Sequence, residues 1–213
     1  EIIGRENLPK DGRKYTFVSN HPLGAIDGVT LGAVIGREYD GKVKYLMNDL
    51  LMSLKGMAPL GIPINKLGGQ ARNLPKLINE AFESENQMLV FPAGLCAKKI
   101  KGKITEMPWK KMFVSQAKKY ERDVVPVHIS GHNSAKYYFF SWLSRILGLK
   151  VNIGMLFLVD ELFKQAGNEF VITFGEPIPY TTFDKSRTDI QWAGEVKDKV
   201  EQLSKDNGCP ANM

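Results

Sequence analysis

Two residue types that exchange protons stand close together near the start of the chain. His21 follows the apolar run Tyr15-Thr16-Phe17-Val18, which reads as a short strand, and Asp27 lies just before Val29-Thr30-Leu31-Gly32-Ala33-Val34-Ile35, which reads as a buried helix. Loops from strand to helix are common places for chemistry in α/β chains. A neutral imidazole can take a proton from a hydroxyl, and a carboxylate on its other nitrogen fixes the tautomer and stabilises the imidazolium. Local spacing leaves a structural role equally open, with His21 hydrogen-bonded at a strand end and Asp27 capping the helix. The chain has no Gly-x-Ser-x-Gly elbow. Cys96 lies just past Phe91-Pro92-Ala93-Gly94 among lysines, which favour a reactive thiol. It reads more simply as a small loop residue. A base without a protein nucleophile points to direct attack by an activated substrate hydroxyl.

Cations form a second group. Lys98, Lys99, Lys101 and Lys103 follow the Phe91–Gly94 loop and suit a phosphate on an acyl carrier or a lipid headgroup, or else a solvated face. Lys66 and Arg72 flank Gly68-Gly69 and suit an anionic acceptor, or else plain surface charge. His21, His128 and His132 are the only histidines, and no His/Cys/Asp pattern has metal-ligand spacing.

Elements that could position these groups alternate along the chain. A helix is expected over 28–36 and a strand over Lys42–Met47. Residues 48–62 are rich in Leu and Met and read as a short core helix plus a loop, or as one wall of an acyl-chain groove. Gly61–Lys66 reads as a strand or edge segment. A helix beginning at Asn73-Leu74-Pro75 buries Leu74, Leu77, Ile78, Ala81 and Phe82 on one face. Met88–Phe91 reads as a buried strand. Pro108 is expected to open a helix with Trp109, Met112, Phe113, Ala117 and Tyr120 on one side. Val124–Ile129 reads as a strand whose Pro126 suggests a sheet edge or a strand end. Residues 135–149 form an aromatic-rich helix suited to core packing, membrane contact or acyl binding. Val151–Val159 reads as a strand or a turn with a strand, Phe170–Phe174 as a strand, and Ile190–Leu203 as a final amphipathic helix. The expectation is one α/β domain over 1–213, with a largely parallel or mixed central sheet flanked by helices.

The 213 residues suffice for a full hydrophobic core, and 43% hydrophobic with 24% charged residues excludes a disordered chain. A net charge of +6 favours anionic partners. Nucleic acid is not expected, because the aromatics cluster in apolar runs instead of alternating with basic residues. Two distant cysteines fit a reducing compartment. No run reaches the roughly 18 apolar residues of a spanning helix. The sequence opens at Glu1 without Met, which leaves room for an upstream membrane anchor outside this chain.

Four blocks stand in a familiar order: Asn20-His21 through Asp27-Gly28, Gly61-Ile62-Pro63-Ile64-Asn65-Lys66, Phe91-Pro92-Ala93-Gly94 and Val125-Pro126-Val127. Together they resemble the four motifs of the lysophosphatidic-acid acyltransferase-like (glycerolipid acyltransferase) superfamily, over about residues 17–180. The resemblance implies that superfamily's α/β fold and transfer of a fatty acyl group from acyl-CoA or acyl-carrier protein to a lipid hydroxyl, with no resident cofactor. His21 would be the base and Asp27 its partner. Lys66 falls where the family usually has an acceptor-binding arginine, and Arg72 is close by. Gly28, Phe91, Pro92, Gly94, Lys98, Lys99 and Pro126 would serve the donor or the oxyanion.

Two departures qualify the match. Five residues separate His21 from Asp27 where the family has four, so the loop must bulge, and Gly24 permits it. Ala93 replaces the family's usual Glu, which argues against a glycerol-phosphate acceptor. The pattern is similar to the hemolysin-like branch, linked to O-acylation in ornithine- or glycine-lipid synthesis. A lyso-aminolipid acceptor would present a hydroxyl and a carboxylate, in membrane lipid biosynthesis. The expected partners are the donor thioester, a lipid acceptor and an anionic membrane surface, with acyl-carrier protein as one form of donor. The expected place is the cytoplasmic face of the cell membrane. The alternatives are a 1-acylglycerol-3-phosphate acyltransferase, a thioesterase and a non-catalytic basic binding module.

Overall fold

Strand β2 (Tyr15–Ser19) is the middle strand of the sheet, and the loop after it carries His21. The computed structural model describes residues 1–48, 58–64, 72–148 and 169–206. Its main sheet also contains β1 (Ile2–Ile3), β3 (Val43–Asn48), β4 (Gly61–Ile64), β5 (Gln87–Val90), β8 (Asp123–Ile129) and β9 (Ile172–Phe174). Their order is β1-β9-β8-β2-β5-β3-β4. Every neighbouring pair is parallel except β8 and β9. A separate hairpin, β6 (Lys98–Ile100) and β7 (Lys103–Thr105), occupies the basic segment. The helices are α1 (Ala25–Glu38), α2 (Leu74–Glu83), α3 (Met112–Lys119), α4 (Ala135–Ile146) and α5 (Asp189–Asp206). The mixed α/β architecture agrees with the sequence.

Alternation along the strands divides the core in two. Tyr15 and Phe17 face α1 with Leu31, Ile35, Tyr45 and Leu89. Val18 faces the other way, with Met88, Val90, Phe82, Phe113 and Val196 from α2, α3 and α5. Burying β2 on both faces explains its unbroken apolar run. Gly28, Gly32 and Gly36 recur every fourth residue and flatten one side of α1. A side-chain carbon at Gly32 would lie 3.4 Å from the Tyr45 ring, so this helix lies close against β3.

Three local expectations are corrected. Helix α1 starts at Ala25, earlier than 28, because the Asp27 carboxylate accepts the Gly24 N–H and closes the first turn. Helix α3 starts at Met112 and not at Pro108. The intervening residues are tied elsewhere: Lys110 N–H to the Pro92 carbonyl at 3.1 Å and Trp109 Nε1 to Glu106 Oε1 at 3.3 Å. Pro126 is neither at an edge nor at a strand end, since β8 lies between β2 and β9. Its carbonyl accepts Gly175 N–H, so its missing donor also faces the β9 side. There the regular ladder stops at Val127–Phe174 and resumes as a single bridge, Val124–Ile178. The proline occupies the interruption, where no ladder hydrogen bond is lost. The expected features at 49–57, Lys66 and Val151–Val159 lie outside the described residues.

Candidate active site

The loop from β2 to α1 is fixed at nearly every backbone group. Asn20 Nδ2 donates to the Ile129 carbonyl at 2.8 Å, and its Oδ1 accepts Ile129 N–H at 2.7 Å, which ties the loop to the end of β8. His21 N–H donates to Glu106 Oε2 at 3.3 Å, and its carbonyl accepts Ala97 N–H at 2.9 Å. Asn133 Nδ2 donates to the Pro22 carbonyl at 2.9 Å.

Inside this frame His21 Nδ1 lies 2.9 Å from Asp27 Oδ2. The extra residue is absorbed at Gly24, whose φ of 85° and ψ of −122° suit glycine alone. Asp27 Oδ2 also accepts Leu23 N–H and Gly24 N–H, each at 2.9 Å. The two readings of Asp27 therefore coincide: it caps the helix and holds the histidine. An ionised carboxylate only accepts, so Nδ1 carries a proton, and in the neutral ring Nε2 holds the lone pair. Phe91 stacks on the imidazole at 4.4 Å between ring centroids. Burial disfavours the imidazolium. Cys96, followed by the hydrogen bond and charge of Asp27, outweighs it and raises the His21 pKa to about 10.

The other expected site residues divide. Phe91, Pro92 and Gly94 form a turn beside His21, closed by Gly94 N–H to the Phe91 carbonyl at 2.9 Å, with Gly94 at φ 67°. Gly28 packs against Phe91 and Tyr45, but its amide lies within the helix ladder. Among the described residues, the first-turn donors with no backbone acceptor are those of Ala25 and Ile26. Lys98 and Lys99 lie on β6, which packs beside α4. Pro126 pairs with Val18, below the site, and is part of the sheet. Arg72 is exposed ahead of α2 and follows β4, three strands from β2.

Several residues escaped the sequence reading. Glu106 is one, and burial raises its pKa. Its signal was a lone acid in an apolar stretch, Ile104-Thr105-Glu106-Met107. Lys110 is another: its Nζ lies 3.5 Å from where a Gly94 side chain would begin, over the turn that carries Ala93. Cys96, read as a small loop residue, is half-buried next to Ala97, whose N–H donates to the His21 carbonyl at 2.9 Å.

A base with a fixed tautomer, held between a glycine turn and a helix start, can deprotonate a hydroxyl beside the amide donors that open the helix. The family model described as Acyltransferase matches residues 2–209. The chain belongs to the acyltransferase family. This acyltransferase is 56% identical over 203 residues to the lyso-glycine lipid O-acyltransferase of Bacteroides thetaiotaomicron, covering 95% of this chain and 74% of that protein. It is 52% identical over 203 residues to the lyso-glycine lipid O-acyltransferase of Phocaeicola vulgatus, covering 95% and 72%. Its fold is similar to the crystal structure of the 1-acyl-sn-glycerophosphate (LPA) acyltransferase PlsC from Thermotoga maritima. The TM-score is 0.58 at 18% identity, covering 100% of this chain and 73% of that one. The enzyme is a lipid acyltransferase.

Proposed function

We propose that this acyltransferase moves a fatty acyl group from acyl-CoA or acyl-carrier protein to the hydroxyl of a lyso-aminolipid, the lyso-glycine lipid for which its relatives are named. The observation that carries the mechanism is the 2.9 Å contact between His21 Nδ1 and Asp27 Oδ2. Asp27 orients the ring, and Nε2 takes the acceptor hydroxyl proton as oxygen attacks the thioester carbonyl. The Ala25 and Ile26 amides stabilise the oxyanion. The donor thiol leaves.

A lyso-aminolipid carries a carboxylate, which a cation can bind. Lys66 and Arg72 are candidates, and Lys110 joins them because it lies over the Phe91–Gly94 turn. Phe139, Trp142 and Ile146 lie three or four residues apart on α4 and are exposed, as is Leu147 just past its end. The β6–β7 hairpin beside α4 bears Lys98, Lys99, Lys101 and Lys103. Apolar and basic groups side by side fit an anionic bilayer. No helix among the described residues is long and apolar enough to cross a membrane. The reading is a protein seated on the cytoplasmic face, with no resident cofactor.

The test compares wild type with His21→Ala, using a long-chain acyl-CoA and the same acyl group on a carrier protein, with lyso-glycine lipid or lysophosphatidic acid as acceptor. Wild type should acylate the lyso-glycine lipid, and His21→Ala should lose about 10³-fold in rate while keeping its circular dichroism. Full activity in the variant would sink the mechanism. Turnover of lysophosphatidic acid alone would sink the acceptor.

A further inference from the structure

Glu106 is an acid that the mechanism above leaves unused, and it is bonded to the residue that acts as base. It is half-buried between β7 and α3, far from His21 along the chain. Its Oε2 accepts the His21 N–H and its Oε1 accepts Trp109 Nε1–H, each at 3.3 Å. Trp109 is buried against Phe113, so the indole is a fixed anchor. One residue further on, Lys110 N–H donates to the Pro92 carbonyl at 3.1 Å. The short segment 106–110 therefore grips the base loop at one end. At the other it grips the Phe91–Gly94 turn, whose Phe91 stacks on the imidazole.

Two N–H donors on one carboxyl group suit its ionised form, in which both oxygens only accept. Burial raises the Glu106 pKa, while the His21 charge and then the two hydrogen bonds lower it. The coupling is mutual, so a charged Glu106 favours the imidazolium in turn. Asp27 does not serve His21 alone, because its Oδ2 is shared with the Leu23 and Gly24 amides. The other groups around Glu106 leave His21 as its counter-charge. Glu106 lines a cavity of about 260 Å³ with His128 of β8, which burial keeps neutral by lowering its pKa to about 4. On α5, along the same cavity, Lys197 pairs with Glu201, and Lys205 is exposed to solvent. Nearer the imidazole, Cys96 is the further titratable group on the turn, and Tyr137 of α4 stays uncharged because burial raises its pKa.

We propose that Glu106 is a positioning residue for the transfer: its carboxylate locks the His21 backbone to the Trp109 anchor and adds a second negative charge, beside that of Asp27, for the imidazolium that forms as the acceptor hydroxyl loses its proton. The inference rests on the acyl-transfer reading above and leaves its direct attack unchanged. Glu106 touches neither substrate. It acts through His21, by holding the ring's main chain in register with the Phe91–Gly94 turn and by stabilising the charged base in the transition state.

The experiment measures kcat and KM against pH for wild type, Glu106→Gln and Glu106→Asp, using lyso-glycine lipid with a long-chain acyl-CoA or the same acyl group on a carrier protein. In parallel, NMR of isotope-labelled histidine rings and glutamate carboxyls follows the full chain without substrate, the His21 signal being the one lost in His21→Ala. Glu106→Gln should lower kcat about 10-fold or more with KM changed less than about twofold. It should also move both the activity limb and the His21 titration to lower pH. Glu106→Asp keeps the charge and should hold the His21 titration near its wild-type position while losing part of the rate. An unmoved His21 titration in Glu106→Gln, a wild-type kcat, or an equal shift in Glu106→Asp overturns the proposal and leaves acyl transfer standing. If Glu106→Gln loses the wild-type circular dichroism, the wild-type chain decides: the Glu106 carboxyl signal should inflect at the pH where His21 titrates, and its failure to do so overturns the coupling. Absence of any transfer by wild type overturns the acyl-transfer reading, with the His21 titration still deciding the role of Glu106.

Discussion

At the scale of single residues, the proposed mechanism turns on the charge state of His21. Asp27 on α1, Cys96 on the turn before β6, Glu106 ahead of α3 and the Tyr137 hydroxyl on α4 surround it or its contacts. The net raised pKa means that His21 stays protonated above the ordinary 6.5, toward about 10. A base must be neutral, so the rate with acceptor should climb with pH along a limb above 6.5. Asp27→Asn removes one cause of the rise and should move that limb to lower pH, besides lowering the plateau. A pH–rate profile of both proteins checks this, and an unmoved limb would separate Asp27 from the proton. Arg122 offers a test of stability. It is fully buried, and its guanidinium donates to the carbonyls of Phe82, Ser84, Asn86 and Tyr15. Burial, the largest influence, lowers its pKa to about 10. Arg122→Met strands these acceptors and should cost about 3 kcal/mol or more in urea unfolding.

At the scale of elements, the loop between β2 and α1 shows how a spacing that departs from the family's can still produce its contact. Gly24 takes up the additional residue with a backbone that other residues adopt only under strain. Gly24→Ala should cost about 1–3 kcal/mol and pull Asp27 from His21. Activity is expected to fall more than thermal stability suggests, which parallel rate and melting measurements would show. This part of the site was legible in the sequence because the strand, the glycine and the acid are neighbours along the chain. Pro126 misled because a missing N–H usually marks an edge, and no local pattern announces that β9 breaks its ladder opposite that residue. The β6–β7 hairpin was hidden by its lysines, since an exposed hairpin turning at Lys101-Gly102 buries little and shows no apolar run. Cys96 and Glu106 reach His21 only through folding of distant segments, so spacing could not place them.

For the molecule as a whole, α4 joins the His21 loop to the surface proposed to meet lipid. Asn133, just ahead of α4, holds the Pro22 carbonyl, while Phe139 and Trp142 of that helix are exposed. Replacing Phe139 and Trp142 together by Ser should weaken partition onto anionic vesicles by about 10-fold or more, given about 1.5–3 kcal/mol per large apolar side chain removed from water. Vesicle co-sedimentation measures it, and added salt should weaken binding further by screening the lysine hairpin. The alternation of strands and helices made the α/β class readable from the sequence. The strand order was not readable, because parallel pairing joins segments far apart in the chain, such as β2 with β8. That order has its own consequence. With three strands on either side of β2, the amides of Phe17 and Val18 lie where local fraying cannot reach. They should exchange hydrogen for deuterium only through global opening, and a denaturant titration should show activity surviving until the sheet itself is lost.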